Sequence, residues 1–113
     1  YTVFSWLLEA CTFYIVACAI PDITNPAAGW LAMPVGTLST ALPSSPGHVG
    51  TFHYFVTVAA RALGNTSDAS TAFSILIHLV LWLPITVCGA LCFVYWMFGR
   101  TSPISSHSSH SEL

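Results

Sequence analysis

Hydrophobic residues in this chain fall in long blocks separated by short clusters rich in Pro, Gly, Asn, Asp and Ser, and the blocks alone predict four helices. The first covers about residues 3–20, close to the ~20 apolar residues that carry a helix across ~30 Å of hydrocarbon, and Pro21 ends it. After the turn-forming cluster Pro21-Asp22-Ile23-Thr24-Asn25-Pro26, a second run over about 27–42 is rich in small residues and closes at Pro43. At ~1.5 Å per residue it covers roughly 24 Å, so it either spans with local thinning of the bilayer or stops short and turns. The third helix, over about 51–63, starts after the Gly50 break with Thr51 as its expected N-cap and is too short to span. Gly64 to Asp68 supplies a stop, a polar connection and a new cap before the strongest apolar run, about 72–98, which is expected to cross a membrane with Pro84 in its interior.

Polar positions inside these blocks are periodic. Thr2, Ser5, Glu9 and Thr12 recur at spacings of 3, 4 and 3, which places one polar stripe on an otherwise apolar helix. A carboxylate at membrane depth costs at least ~2.5 kcal/mol, so this stripe is expected to face a cavity or other helices. The plainer reading is a protonated Glu9 hydrogen-bonded to a neighbouring helix for packing alone. On the third helix, His53, Thr57 and Arg61 recur every four residues and share a face. Arg61 there can bind a phosphate bidentately or snorkel to the headgroups, and His53 can shuttle a proton or simply donate a hydrogen bond. In the last helix His78 lies one turn after Ser74 and one turn before Trp82, on a polar and aromatic face.

Between the second and third helices, Pro43-Ser44-Ser45-Pro46-Gly47-His48-Val49-Gly50-Thr51 cannot run through as a helix, and Pro46-Gly47 suits the central pair of a type II turn. Broken backbone at membrane depth needs protein or a water-filled cavity around it, because its amides need partners. In a re-entrant placement, the helix start at Thr51 would direct unpaired N–H groups at an anionic occupant such as a lipid phosphate. A plain extramembrane turn is the alternative, and the sequence leaves the two open.

Composition narrows the classes. Only 5% of the 113 residues are charged and 55% are hydrophobic, against about 25% charged in ordinary soluble domains, so lipid is the expected solvent for most of the chain. Two basic residues against four acidic ones exclude a phosphate-tracking surface for nucleic acid. Cys11, Cys18, Cys88 and Cys92 all sit in apolar stretches and read as small hydrophobes, and no metal site or cofactor is expected. A haem held by His53 and His78 is a third, separate possibility. Asn65-Thr66-Ser67 matches the glycosylation acceptor triplet, a pattern common by chance. The apolar start at Tyr1 without Met suggests a piece of a longer polypeptide; Ala17-Cys18-Ala19 resembles a signal cleavage site, but Glu9 and the missing basic leader weigh against one. Residues 101–113, rich in Ser and His, are expected to be a disordered tail after a membrane domain at 1–100, and Arg100 favours a cytoplasmic end for it.

Three ordered motifs resemble the flippase-like transmembrane domain of the lysylphosphatidylglycerol synthase family. Ser5-Trp6-Leu7-Leu8-Glu9 is similar to its W-x-x-E helix, and Leu42 to Phe52 is similar to its P-S-x-P-G-x-x-G-T signature. His78 to Gly89 is like its late helix with P-x-T-x-x-G. The resemblance covers nearly the whole chain and implies the C-terminal third of an all-α, polytopic integral membrane domain whose remaining N-terminal helices are partners. It further implies a bacterial inner-membrane location and movement of phospholipid, aminoacylated in some relatives, between leaflets. Relatives often carry Glu where His53 stands here, which puts a role for that carboxylate in doubt. No aminoacyltransferase domain follows, so enzymatic aminoacyl transfer is not expected. The residues expected to meet a headgroup are Glu9, Ser44, Ser45, Gly47, Gly50, Thr51, His53 and Arg61. A non-transporting membrane scaffold is the alternative, and it predicts tolerance of substitutions on the polar faces.

Overall fold

In the computed structural model, residues 1–43 and 46–99 are described, and among them all regular structure is helical. Four α-helices follow in order: α1 (Thr2–Ala19), α2 (Ala28–Ser39), α3 (Thr51–Ala62) and α4 (Ser67–Gly99), with a short 3-10 turn at Pro46–His48 before α3. Ser44, Ser45, Arg100 and the tail expected at 101–113 lie outside the described residues. The chain divides into two compact units, Tyr1–Trp82 and Leu83–Leu113. In the first, one apolar core draws Phe13, Val16 and Ala17 from α1, Ala28, Ala32 and Met33 from α2, Val56, Ala59 and Ala60 from α3, and Phe73 and Ile77 from α4. The described part of the second unit is the C-terminal stretch of α4, apolar and exposed along its length.

Two helices, α1 with 18 residues and α4 with 33, are long and apolar enough to cross a membrane. By contrast α2 and α3 have 12 residues each, about 18 Å of helix, and span nothing alone. The second helix is therefore shorter than the 27–42 expected from hydropathy. Beyond Ser39, Thr40, Ala41 and Leu42 donate backbone bonds to residues three back, at 3.1, 3.1 and 3.2 Å, tightening the chain ahead of Pro43, which disfavours α conformation in the residue before it. α4 instead starts earlier than the expected 72. Thr66 accepts the Ala69 N–H at 3.3 Å through its hydroxyl, and Asp68 in the first turn complements the positive helix end, so the polar residues 67–71 are helical.

Backbone proximity, rather than bulk, joins the first three helices. A Cβ on Gly29 would lie 2.7 Å from the Phe13 carbonyl oxygen and 2.8 Å from the Tyr14 Cα, so α1 and α2 touch main chain to main chain there. One on Gly36 would lie 2.9 Å from the Phe52 ring and 3.0 Å from Val56, where α3 rests on α2. The interhelical turns are clipped together by Asn65, which is buried. Its Oδ1 accepts the Asn25 N–H at 3.0 Å and the Thr24 hydroxyl at 3.3 Å, while its Nδ2 donates to the carbonyls of Ala60 at 2.9 Å and Asn25 at 3.3 Å. The glycosylation-like triplet thus has its asparagine spent as a structural clip. Gly64, at φ 87°, takes the left-handed conformation that ends α3 beside it.

Two expectations about stability follow. Gly29→Ala should destabilise the fold by about 1–3 kcal/mol, more than Gly36→Ala, because backbone cannot yield where a side chain can; Gly89→Ala, whose Cβ meets nothing within 4 Å, should be neutral or slightly stabilising. Asn65→Ala, which removes a buried side chain with four hydrogen bonds to Thr24, Asn25 and Ala60, should cost about 2 kcal/mol. Thermal unfolding in detergent, followed by circular dichroism, checks both.

Candidate functional site: a groove between two helices

The Pro46–His48 turn brings the chain back to start α3. Gly47, at φ 79° and ψ 8°, has the geometry of the third residue of a type II turn, and Gly50 precedes α3 at φ 99°. Both are conformations that favour glycine. His48 between them is left-handed too, at φ 54°. Gly50, not Thr51, is the N-cap: Thr51 is the first helical residue, and its hydroxyl is turned back to the His48 carbonyl at 3.4 Å. The expected Thr51 cap is corrected for that reason. The sharp turn at Gly50 makes the entry, so no side-chain oxygen caps the helix.

Along the seam of α3 and α4 run two adjoining clefts. The first, of about 490 Å³, is walled by Pro46, Gly47 and Val49 of the turn, His53 of α3, and Ile75, His78, Leu79 and Trp82 of α4. It is mainly apolar. The second, of about 530 Å³, is lined by His53, Tyr54, Thr57, Val58 and Arg61 of α3 and by Thr71, Ser74 and Ile75 of α4. His53 and Ile75 belong to both, so they form one groove with an apolar end at the turn and a cationic, hydroxyl-bearing end at Arg61. The periodic face His53, Thr57 and Arg61 lines it from one side; Ser74, His78 and Trp82 line it from the other.

At the junction the two imidazoles stack, His53 on His78, with ring centroids 4.8 Å apart and planes inclined by 30°. Phe52 sets its edge against His78 at 5.2 Å and 76°. Rings stacked face to face leave no gap for a porphyrin between opposed ring nitrogens, so the geometry is not that of a haem held by these two histidines. No cluster of three or more metal-ligating side chains occurs among the described residues. The Nδ1 atom of His53 is buried with no hydrogen-bond partner. An unpaired buried polar atom costs about 1–3 kcal/mol, and here it sits where the two clefts meet.

Other residues expected at the site fall elsewhere. Glu9, half-buried on α1, lines neither cleft. The stripe it belongs to divides: Thr2 and Ser5 are exposed, and the hydroxyls of Ser5 and Thr12 donate to the carbonyls of Tyr1 and Leu8 one turn back, at 3.2 and 2.9 Å. Helix α1 packs against α2 and meets α4 at Phe13 and Phe73, and none of its residues lines the groove. Gly50 and Thr51 shape the helix start without lining the groove, whereas Gly47 does line it. Ser44 and Ser45 lie outside the described residues. What sequence reasoning missed is the apolar wall of Ile75 and Leu79, whose i, i+4 spacing was hidden in a helix apolar on every side.

Replacing His53 by Phe keeps the ring and removes the unpaired nitrogen. His53→Phe is expected to raise stability by about 1 kcal/mol, and His53→Ala, which empties the junction, to lower it; the midpoints of thermal unfolding decide.

A family model described as the lysylphosphatidylglycerol synthase TM region matches residues 1–89. Neither the curated proteins nor the solved structures contain a significant match.

Proposed function

Since the chain belongs to the lysylphosphatidylglycerol synthase transmembrane-region family, we propose that it binds a membrane phospholipid in the α3–α4 groove and passes it between leaflets of a bacterial inner membrane. The observation that carries this reading is the Arg61 guanidinium at one end of a groove that is mainly apolar along its length. Pro46, Val49, Leu79 and Trp82 offer an acyl chain an apolar bed. Arg61 and Thr57 offer a phosphate a cation and a hydroxyl at the other end, where the Thr71 hydroxyl donates instead to the Ser67 carbonyl at 2.8 Å. A phospholipid has the same two-part chemistry, and a guanidinium is suited to a phosphate by its planar fork of donors. An amphiphile lying along the groove would keep its headgroup among polar groups while its chain stays in apolar surroundings, which lowers the barrier that a bare headgroup meets in hydrocarbon. In this reading the chain moves or holds lipid and performs no aminoacyl transfer, and the tail beyond the last helix faces the cytoplasm.

The scaffold alternative has no comparable observation in its favour, because a purely structural helix pair gains nothing from an open groove with a cation at one end. Glu9 is dropped from the site, and its role is left to the packing of α1.

Translocation of fluorescent phosphatidylglycerol, read by dithionite quenching after reconstitution in vesicles, tests the reading. Arg61→Ala and Trp82→Ala should each slow translocation several-fold, Arg61→Lys should slow it less, and Glu9→Gln should leave it near the unsubstituted rate. Unchanged rates in both Arg61→Ala and Trp82→Ala would sink the assignment.

A further inference from the structure

The histidine stack at the centre of the groove is unusual in its surroundings. Helix backbones approach closely between α1 and α2 and between α2 and α3. Helix α3 shares the core with α4, and at the groove Phe52 and His53 of α3 lie against His78 of α4. Parting the two imidazoles alone would leave Phe73 and Ile77 as the anchor of α4 in the core. We propose that the His53–His78 stack is a proton-operated latch that holds α3 to α4 across the groove when both rings are neutral and lets the two helices part when either is protonated. The inference rests on reading this groove as the binding site and adds its regulation.

The physical reason is the asymmetry between the two charge states. Neutral imidazoles stack favourably, as aromatic rings do. A charged ring in the same place lacks what it needs. Both ring nitrogens of an imidazolium carry hydrogens, and the Nδ1 of His53 is buried with no acceptor. A charge on both rings would also put two cations with centroids 4.8 Å apart.

The neighbours do nothing to relieve this. On the turn, His48 is a third imidazole, and a proton on it adds positive charge and no acceptor. On α3, Arg61 adds positive charge two turns along, and Tyr54 shares the second cleft. Helix α2, which packs against α3, carries no titratable side chain, and no carboxylate lines either cleft. On α1, Glu9, Cys11, Tyr14 and Cys18 line neither cleft. Protonation therefore favours a state in which the rings part and Nδ1 reaches water. The sign follows: the closed stack is present above the histidine titration range and is lost as pH falls through it.

Pulsed electron paramagnetic resonance on the full chain in neutral phosphatidylcholine nanodiscs tests the latch without any added ligand. Spin labels are placed at Tyr54→Cys on α3 and Val80→Cys on α4, both exposed positions, after Cys11, Cys18, Cys88 and Cys92 are changed to Ala. Between about pH 8 and about pH 5, either side of the ordinary histidine value, the distance distribution should shift to longer values. In the double variant His53→Phe, His78→Phe, which keeps two rings and titrates neither, the distribution should stay at its pH 8 form. Should circular dichroism show the double variant unfolded, His78→Gln takes its place and should cut the shift. No shift in the unsubstituted background, or a shift that persists in the variants, overturns the latch. If the shift appears while Arg61→Ala and Trp82→Ala leave translocation unchanged, the lipid reading fails and the latch stands.

Discussion

The contact at Gly29 is the constraint on which the rest depends. In lipid, one apolar helix gains little hydrophobic free energy by touching another, so close backbone approach and interhelical hydrogen bonds must hold a bundle together. Gly29 lets α2 lie directly on the main chain of Phe13 and Tyr14, and Gly36 lets the Phe52 ring and Val56 of α3 settle onto α2. These two small positions fix the order of the first three helices. The Asn65 clip, with bonds reaching to Thr24, Asn25 and Ala60, ties the two turns at one end of that arrangement.

Where the close contacts stop, the groove begins. Phe73 and Ile77, both fully buried, fasten α4 into the core, and Phe73 meets Phe13 edge to face at 6.4 Å. Toward the Pro46–His48 turn the α4 wall of the cleft is made of bulky Ile75, His78, Leu79 and Trp82. The opening thus comes from the same packing rule as the core, applied with larger side chains. Its two ends differ in chemistry because α3 has Arg61 and Thr57 at one end of its face and His53 at the other.

Such a groove couples recognition to mobility. The face that would meet a lipid is made by the two helices whose backbones are least closely joined, so the binding surface is also the part of the core best able to move. In the proposed latch, the pair at that seam ties the separation of α3 and α4 to the protonation of His53 and His78, away from the contacts at Gly29 and Gly36. The strained turn before α3, with left-handed Gly47, His48 and Gly50, gives the helix a sharply defined start at the mouth of the apolar end.

Much was legible along the chain because lipid imposes simple rules. Long apolar blocks gave the all-helical architecture, the two helices long enough to cross, and the shortness of α3; prolines and glycines placed the turns; three motifs gave the family, which the match over residues 1–89 shows. The four-residue spacing of His53, Thr57 and Arg61 also determined that they share a face, since helical periodicity alone does that. Tertiary packing decided the rest. It turned that face toward Ser74, His78 and Trp82, left Glu9 out of the groove, and used Asn65 as a clip. It also stacked His53 on His78. None of these pairings has a local cause: each joins residues of different helices, and which faces meet depends on where backbones can touch, a matter of shape that hydropathy along the chain does not record.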